Sequence, residues 1–407
     1  MKKNKLHIIL ALILAFAMLC TACGTADDSP KNSDTPGQTA PSTDDKTPDS
    51  GKELTTVNVA YEFPLTGGAG WVGELMRAGT WVALDDYKDE LAEYGVEINA
   101  IFNDHQGSND VAASNFTKNV DLYKTPVVVT SFTGPVMTQG PMAEASKVLA
   151  INCGAQADQC IGLSDYLYNI VPAYSTVSKA FADYLYNDLG YTKMAALGDN
   201  SSTAAAQHDN FVAAWKALGG EVVADVEVAA DASDYMSACA QIIDAGAEFV
   251  VLCNTNDGLS ARQMTQFLQL GATDMVFVNS GSGDRAFGKD FEQTTYVASQ
   301  KVYSHPETIE QYESKYLVTD YPYANGALYV TNGYNATYII VQLIEYCVDN
   351  GMEITGENLR EAFNTLGTVN IQGGSVTLIE GNTVETPIEI YRGIAGEVEL
   401  MKTYFEG

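Results

Sequence analysis

Short runs of β-branched residues alternate with longer amphipathic segments from residue 53 onward. In the first half of the chain the short runs predict strands at 57–61, 96–102, 126–130 and 149–152. Segments with helical periodicity lie between them, at 73–87, 111–123 and 136–146. This alternation is typical of βαβ units built around a parallel sheet.

The same alternation starts again after residue 172. It predicts strands at 194–197, 221–228, 249–252 and 275–278, with helices that begin near Ser175, Thr203, Tyr235 and Ser260. The C-terminal part predicts helices at 308–316, 327–347 and 355–366, followed by hairpin-like runs. We therefore predict an α/β protein with two lobes, in which the C-terminal pieces return to the first sheet and cross to the second.

The first 22 residues predict a signal peptide. Three lysines within the first five residues precede an apolar run at 6–19, and small residues lead to Cys23. This run of fourteen residues is shorter than the about 20 that a membrane-spanning helix needs. The step from Cys20 to Cys23 resembles a bacterial lipobox, although Cys20 stands where Leu is usual. Cys23 is therefore predicted to be the lipidated first residue of a lipoprotein that carries palmitate, with an ordinary secretory signal as the alternative.

Residues 23–53 predict a disordered linker behind that anchor. Four prolines stand there among Ser, Thr, Asp, Gly and Lys, and such a composition cannot bury a core. The whole chain carries a formal charge of −30, and three lysines but no acidic residue precede Cys23, so the mature chain carries −33. A surface with this much negative charge repels nucleic acid and keeps a tethered protein soluble.

The sequence carries no recognisable catalytic or metal motif. It has no G-x-S-x-G elbow, no P-loop and no G-x-G-x-x-G after the first strand, and its four histidines are scattered. No cysteine and histidine spacing fits zinc. Cys153 and Cys160 could close a small disulfide loop or remain buried free thiols. We therefore expect neither an enzyme nor a cofactor.

Polar and aromatic residues gather where predicted strands pass into helices. One such turn joins the strand at 126–130 to Thr133, Gly134 and Pro135, where Thr133 or Gly134 can cap the helix and free N–H groups favour an anion. Trp71 follows a glycine-rich turn and could form a stacking wall or be buried. Similar turns follow other strands near 152–156, 200–203, 254–257 and 279–284. Because ligands bind outside the carboxyl ends of strands in open α/β sheets, these turns predict a polar cleft with little fixed charge.

The order of these segments resembles the type I periplasmic binding proteins of the leucine/isoleucine/valine-binding group, which serve ABC transporters. The resemblance spans about 54–400 and rests on the segments 57–60, 64–67, 103–104, 127–131 and 149–152, with Tyr334 in the long late helix. It implies two Rossmann-like lobes with parallel central sheets, joined by a hinge of three crossings. One lobe would comprise 54–172 and 302–378, and the other 173–301 and 379–407. The ligand-binding residues that it implies are Trp71 or its neighbour Val72, Thr133, Gly134, Gly154, Gln156, Thr203, Thr255, Gly281 and Tyr329. Phe132 and Tyr174 are two adjacent aromatic candidates.

The chain departs from that family where amino-acid binders hold the ligand ammonium with carboxylates of the second lobe. Tyr174 and Gly281 stand at those positions here, with Asp284, three residues after Gly281, as the alternative carboxylate. An ammonium without an anionic partner is costly to bury. The expected solute is therefore an amino acid or an amino-acid-like molecule, an amide or an aromatic acid, with branched-chain amino acids still possible.

The function predicted from these features is that of an extracytoplasmic solute-binding lipoprotein. It would be a monomer, lipid-anchored on the outer face of the cell membrane, that delivers its solute to an ABC transporter permease, as in amino acid transport. The alternative is a sensor domain of the same fold that hands its signal to a membrane receptor.

Overall fold

The computed structural model of this chain describes residues 54–67, 69–229, 231–254, 257–280, 287–301 and 327–405. Its strands, in chain order, are β1 (Thr55–Phe63), β2 (Val96–Asp104), β3 (Val127–Thr130), β4 (Leu149–Asn152), β5 (Leu167–Asn169), β6 (Lys193–Asp199), β7 (Glu221–Val228), β8 (Phe249–Cys253), β9 (Val276–Asn279), β10 (Thr295–Gln300), β11 (Thr368–Ile371), β12 (Gly374–Ile379), β13 (Thr383–Glu385), β14 (Ile388–Ile394) and β15 (Glu397–Tyr404). The α-helices are α1 (Gly70–Glu93), α2 (Asn109–Asp121), α3 (Thr133–Ser146), α4 (Tyr174–Asp183), α5 (Ser202–Ala217), α6 (Met236–Asp244), α7 (Asp257–Gln269), α8 (Ala327–Asp349) and α9 (Gly356–Leu366).

The first sheet has the strand order β11-β12-β13-β5-β4-β3-β1-β2. Strands β1 to β5 are parallel, and β11, β12 and β13 pair antiparallel with one another. Side chains of β1 alternate between the two faces, so Val59 and Tyr61 pack with α1, α8 and α9, while Ala60 packs with α2 and α3. Helices on both faces bury the central strands β3 and β4 completely, as is typical of a parallel sheet.

The second sheet repeats the pattern in the order β15-β14-β10-β9-β8-β6-β7. Strands β6 to β10 are parallel, and β14 and β15 extend the sheet antiparallel. Phe181 and Trp215 of α4 and α5 fill the core on one face, and Ile242 and Phe267 of α6 and α7 fill it on the other. The predicted class, two α/β lobes with mostly parallel sheets, is confirmed.

In the described parts of the chain, consecutive elements change from one sheet to the other three times. The first connection is 170–173, between β5 and α4, and another is 386–387, between β13 and β14. The remaining one leaves β10 and reaches α8, which packs on the first sheet. The predicted lobe boundary between 378 and 379 falls inside β12, yet β13 pairs with both β12 and β5 and so belongs to the first sheet. A tight hairpin through Gly381 and Asn382, both at positive φ, keeps β13 beside β12.

Most predicted elements are found, with different ends. Helix α1 is longer than the predicted 73–87, and α3 begins three residues before the predicted 136. The short strands β5 and β10 were not predicted. The predicted helix at 308–316, the signal peptide and the linker lie outside the described residues.

Candidate functional site: a ligand-binding cavity

A cavity of about 460 Å³ lies at the carboxyl ends of strands from both sheets. Its volume is within the range of small-molecule sites, and its position is where open α/β sheets bind ligands. Elements of the first sheet and α8 contribute Ala69, Trp71, Val72, Met76, Phe132, Thr133, Gly154, Ala155, Gln156, Leu328, Tyr329 and Asn332. The second sheet and the chain leading to it contribute Val171, Tyr174, Val177, Thr203, Gln207, Asp257, Ser280, Ala298, Ser299 and Gln300.

The N-terminus of α3 opens on this cavity. Thr133 and Gly134 are its first two residues, and their backbone N–H groups have no hydrogen-bond partner within the described parts of the chain. Such N–H groups, aligned with the helix dipole, favour a carboxylate.

The cap of α3 is Phe132, and not Thr133 or Gly134 as the sequence predicted. Phe132 has φ 66° and ψ 137° and makes no side-chain capping bond. Pro135 is the third residue of the helix and has no N–H, so a capping side chain would lack one of its two usual donors. The N–H groups of Thr133 and Gly134 therefore keep no partner among the described residues, and Thr133 lines the cavity.

The turn after β4 forms a second part of the same wall. The side-chain oxygen of Asn152 accepts hydrogen bonds from the N–H groups of Gly154 and Ala155, at 3.1 and 2.8 Å. A β-carbon added at Gly154 would lie 2.9 Å from the Met76 terminal methyl group of α1, which would have to move aside. The turn thus brings backbone to the cavity surface.

Gln156 links this turn to the first connection between the sheets. Its Nε2 donates to the Pro172 carbonyl at 3.0 Å, and its carbonyl accepts from the Tyr174 N–H at 2.7 Å. Gln156 also lines the cavity. Its two hydrogen bonds connect the first sheet to the start of α4.

Aromatic rings supply the apolar part of the cavity. Trp71 of α1 and Tyr329 of α8 meet edge to face, with ring centroids 5.4 Å apart and an interplanar angle of 82°. Phe132 is supported by the buried His105, whose ring lies edge-on at 5.8 Å. Burial lowers the pKa of His105 to about 4, so it is neutral near pH 7 and acts as a packing partner. Aromatic walls of this kind suit an apolar or aromatic solute body.

Asp104 holds the loop that leads to Trp71. Its carboxylate accepts from the Leu65 N–H at 2.9 Å and from the Thr66 hydroxyl. Burial opposes ionisation of this carboxyl, but the hydrogen bonds from Thr66, Gln106 and Leu65 prevail and lower its pKa. The ionised Asp104 is therefore a structural clamp behind the cavity wall.

Polar side chains of the second sheet's elements form the opposite wall. Burial raises the pKa of the Tyr174 phenol, which therefore stays neutral, and Thr203 and Gln207 lie one turn apart on α5. Asp257, the first residue of α7, accepts a hydrogen bond from Asn279 Nδ2 at 3.0 Å. The family pattern did not point to Asp257, and Asp284, the substitute carboxylate near its Gly281 position, lies outside the described residues.

The structure places eight of the predicted binding residues on this one cavity: Trp71, Phe132, Thr133, Gly154, Gln156, Tyr174, Thr203 and Tyr329. Gly134 packs against the Asn109 side chain instead of lining the cavity. Thr255 and Gly281 lie outside the described residues. The binding role of every one of these predicted residues stays a prediction.

Other chemistry is not visible in the described parts of the chain. They contain no group of three His, Cys, Asp or Glu side chains that could hold a metal ion. Cys153 and Cys160 are buried free thiols, and burial raises the pKa of each to about 12. In the same residues no helix has the length and apolarity to cross a membrane.

The chain belongs to the periplasmic binding protein family, whose sequence model matches residues 56–397. The arrangement of its sheets is the type I periplasmic binding protein fold. No curated protein sequence matches the chain.

Solved structures of similar fold are binding proteins. A leucine binding protein from Thermotoga maritima is 17% identical to this chain and has a TM-score of 0.71. The match covers 85% of this chain and 98% of that protein. A solute-binding protein from R. palustris in complex with 4-hydroxybenzoate is 13% identical, with 86% and 97% covered and a TM-score of 0.71. A branched-chain amino acid transporter substrate-binding protein from Streptococcus pneumoniae in complex with isoleucine is 17% identical, with 86% and 99% covered and a TM-score of 0.69.

Proposed function

We propose that this protein captures a small solute that bears a carboxylate, an amino acid or an aromatic acid, and releases it chemically unchanged. The observation that carries the proposal is the N-terminus of α3, whose Thr133 lines a cavity with an aromatic wall. The solutes in the names of the similar structures, leucine, isoleucine and 4-hydroxybenzoate, support it, since each has a carboxylate and an apolar body. No lysine, arginine or histidine is among the described lining residues, so helix N–H groups would carry the anion.

The test is a thermal-shift screen of residues 24–407 followed by calorimetry. The panel contains L-leucine, L-isoleucine, benzoate and 4-hydroxybenzoate, with benzamide as the matched neutral control. A ligand at 100 times its Kd adds about 2.7 kcal/mol of stability. We expect at least one acid to bind and benzamide to bind more weakly than benzoate. Equal binding of benzamide would move the assignment to amides, and no binding by any acid would overturn it.

We further propose that the loaded protein is a lipoprotein that delivers its solute to an ABC permease. The signal-peptide pattern before Cys23 and membership of the periplasmic binding protein family support this. In a bacterial host fed labelled palmitate, we expect Cys23→Ser to lose the label and the matched change Cys20→Ser to keep it. Loss of solute uptake on deletion of the gene would support delivery, whereas intact uptake with a lost cellular response would favour a sensor.

A further inference from the structure

Two amide side chains, Gln300 and Asn332, form a hydrogen-bonded pair on the wall of the cavity. Gln300 is the last residue of β10 in the second sheet, and Asn332 belongs to α8, which packs on the first sheet. Gln300 Nε2 donates to Asn332 Oδ1 at 2.7 Å, and the two residues are 9% and 5% exposed. One short, buried hydrogen bond therefore joins the two lobes directly at the cavity.

This hydrogen bond leaves one acceptor and one donor of the pair unused. They are Gln300 Oε1 and Asn332 Nδ2, and neither has another partner in the described parts of the chain. Neither atom is buried without a partner, as Gln207 Oε1 is, so both keep accessible surface. Because both residues line the cavity, this surface belongs to its wall. Reversing both amides would again leave one acceptor and one donor, since each amide group carries both kinds.

A solute group that satisfies this pair must donate and accept at the same time. A carboxamide does so with two separate atoms, because its N–H can donate to the Gln300 oxygen while its carbonyl accepts from Asn332 Nδ2. A carboxylate has no donor for the Gln300 oxygen, and a methyl group leaves both amide atoms without a partner, which is costly. A hydroxyl group would have to serve two side chains with one atom. The pair is therefore most complementary to a carboxamide.

We propose that Gln300 and Asn332 form a carboxamide-recognition subsite, so that the preferred solute carries a carboxamide in addition to its carboxylate. This inference rests on the proposed function, because it assumes that the carboxylate of the solute faces the N-terminus of α3. L-glutamine is an amino acid of this kind, and 4-carbamoylbenzoate is an aromatic acid of this kind. Benzamide lacks the carboxylate and stays a weaker ligand than benzoate, since hydrogen bonds to a charged group are the stronger ones.

Two matched pairs of solutes test this subsite, and in each pair a methyl group replaces the amide nitrogen. They are L-glutamine with its methyl ketone analogue, and 4-carbamoylbenzoate with 4-acetylbenzoate. Calorimetry on residues 24–407 would compare the unmodified protein with the double variant Gln300→Met and Asn332→Leu, which keeps the side-chain sizes and removes both amides. The matched control combines Gln241→Met with Asn187→Leu, since both of these residues are exposed and neither lines the cavity.

In the pair that binds, we expect the carboxamide to bind the unmodified protein about tenfold more tightly than the methyl ketone. The double variant should lose this preference and bind the two solutes within about twofold of each other, whereas the control variant should keep it. Gln300→Met alone removes the acceptor for the amide N–H and should also lose the preference, which provides a test if the double variant does not fold.

The outcomes separate the two proposals. Equal affinity for both members of each pair, or an unchanged preference in the double variant, would overturn the subsite and leave solute capture standing. Binding of benzoate or leucine without binding of either carboxamide would do the same. Tighter binding of 4-(hydroxymethyl)benzoate than of 4-carbamoylbenzoate would also overturn it, because the pair would then favour a hydroxyl group. If no acid binds the folded protein, the proposed function fails and this inference fails with it.

Discussion

Glu62 is a carboxyl group buried inside the first lobe's sheet. Alternation along β1 turns it away from Tyr61 and Phe63 and toward α2, where Asn119 and Asn115 donate to its oxygens at 2.7 and 3.1 Å. Burial raises its pKa to about 7, against the hydrogen bonds from these two amides, which lower it. The folded protein therefore holds the proton of Glu62 more tightly than the unfolded chain does.

This raised pKa predicts a pH dependence of stability. A group with a raised folded-state pKa stabilises the fold fully below its ordinary pKa, and this contribution is lost as the pH rises through the folded value. The interval from 4.5 to about 7 corresponds to about 3 kcal/mol. Urea unfolding would measure the free energy of unfolding of both proteins between about pH 4.5 and about pH 8. As the pH rises over this range, the stability of Glu62→Gln relative to the unmodified protein should increase by up to about 3 kcal/mol.

Glu221→Gln is the matched control for this prediction, because Glu221 is exposed at the start of β7. It should follow the unmodified protein over the whole range. A constant difference between Glu62→Gln and the unmodified protein at every pH would show that Glu62 does not titrate in this range.

Phe132 combines an unfavourable backbone with a ring on the cavity wall. At φ 66° and ψ 137° a side chain is strained, whereas glycine is not. Phe132→Gly and Phe132→Ala both remove the ring, so they differ mainly in this backbone strain. We expect the glycine variant to be more stable than the alanine variant by about 1–2 kcal/mol in urea unfolding. Greater stability of the alanine variant, the usual order outside such positions, would contradict the strain.

Part of the cavity could be predicted residue by residue because turns after parallel strands converge on one sheet edge. This rule led to Thr133, Gly154 and Thr203. Gln207 was missed because it lies inside a helix, although a helical repeat from Thr203 places it on the same face. Ser299 and Gln300 were missed because β10 was not predicted.

At the scale of elements, the crossing of α1 and α8 positions one wall of the cavity. Gly79 of α1 faces the Val330 carbonyl, and Gly333 of α8 faces the Met76 carbonyl, so closely that an added methyl group would overlap each oxygen. Thr80 Oγ1 donates to the Met76 carbonyl at 3.0 Å and lies 3.4 Å from the Gly333 carbonyl. The close approach brings Trp71 and Tyr329 together at the cavity.

Adding a methyl group at this crossing should therefore destabilise the protein. Backbone atoms cannot yield as a side chain can, so we expect Gly79→Ala to cost about 3 kcal/mol in urea unfolding. The control is Gly140→Ala in α3, where the nearest atom is a Leu163 methyl carbon at 2.9 Å that can rotate away. A similar small effect of both changes would show that the two helices can separate without loss.

The elements themselves were predictable where periodicity was long. Helices such as α8 and α9 and the central strands β3, β4 and β8 stand out as continuous apolar or amphipathic runs. Strand β5 has three residues and β10 contains Ser299 and Gln300, so neither gives such a run. Pairing with longer neighbours in the sheet makes them strands, and a local pattern cannot show that pairing.

At the scale of the whole molecule, short connections join the two sheets, and a residue that lines the cavity is hydrogen-bonded to one of them. Gln156 lines the cavity and is hydrogen-bonded to both Pro172 and Tyr174 at the first connection. At another connection, the Lys301 N–H donates to the Pro387 carbonyl at 2.7 Å. The connections at 170–173 and 386–387 are short, and they contain Pro172 and Pro387, respectively. They restrict the motion of one sheet relative to the other to rotations at a few backbone bonds.

This arrangement predicts that a bound solute compacts the protein. A ligand that contacts both walls has a higher affinity for the state in which the walls are closer, and only such a difference in affinity can shift the population. In solution scattering of residues 54–407, with a radius of gyration of about 20 Å for a compact chain of this length, the radius should fall on saturation with a solute that binds in calorimetry. A sugar that gives no binding heat is the control. An unchanged radius at saturation would mean that the walls already stand at their bound separation, and the cavity of about 460 Å³ would then be a rigid site.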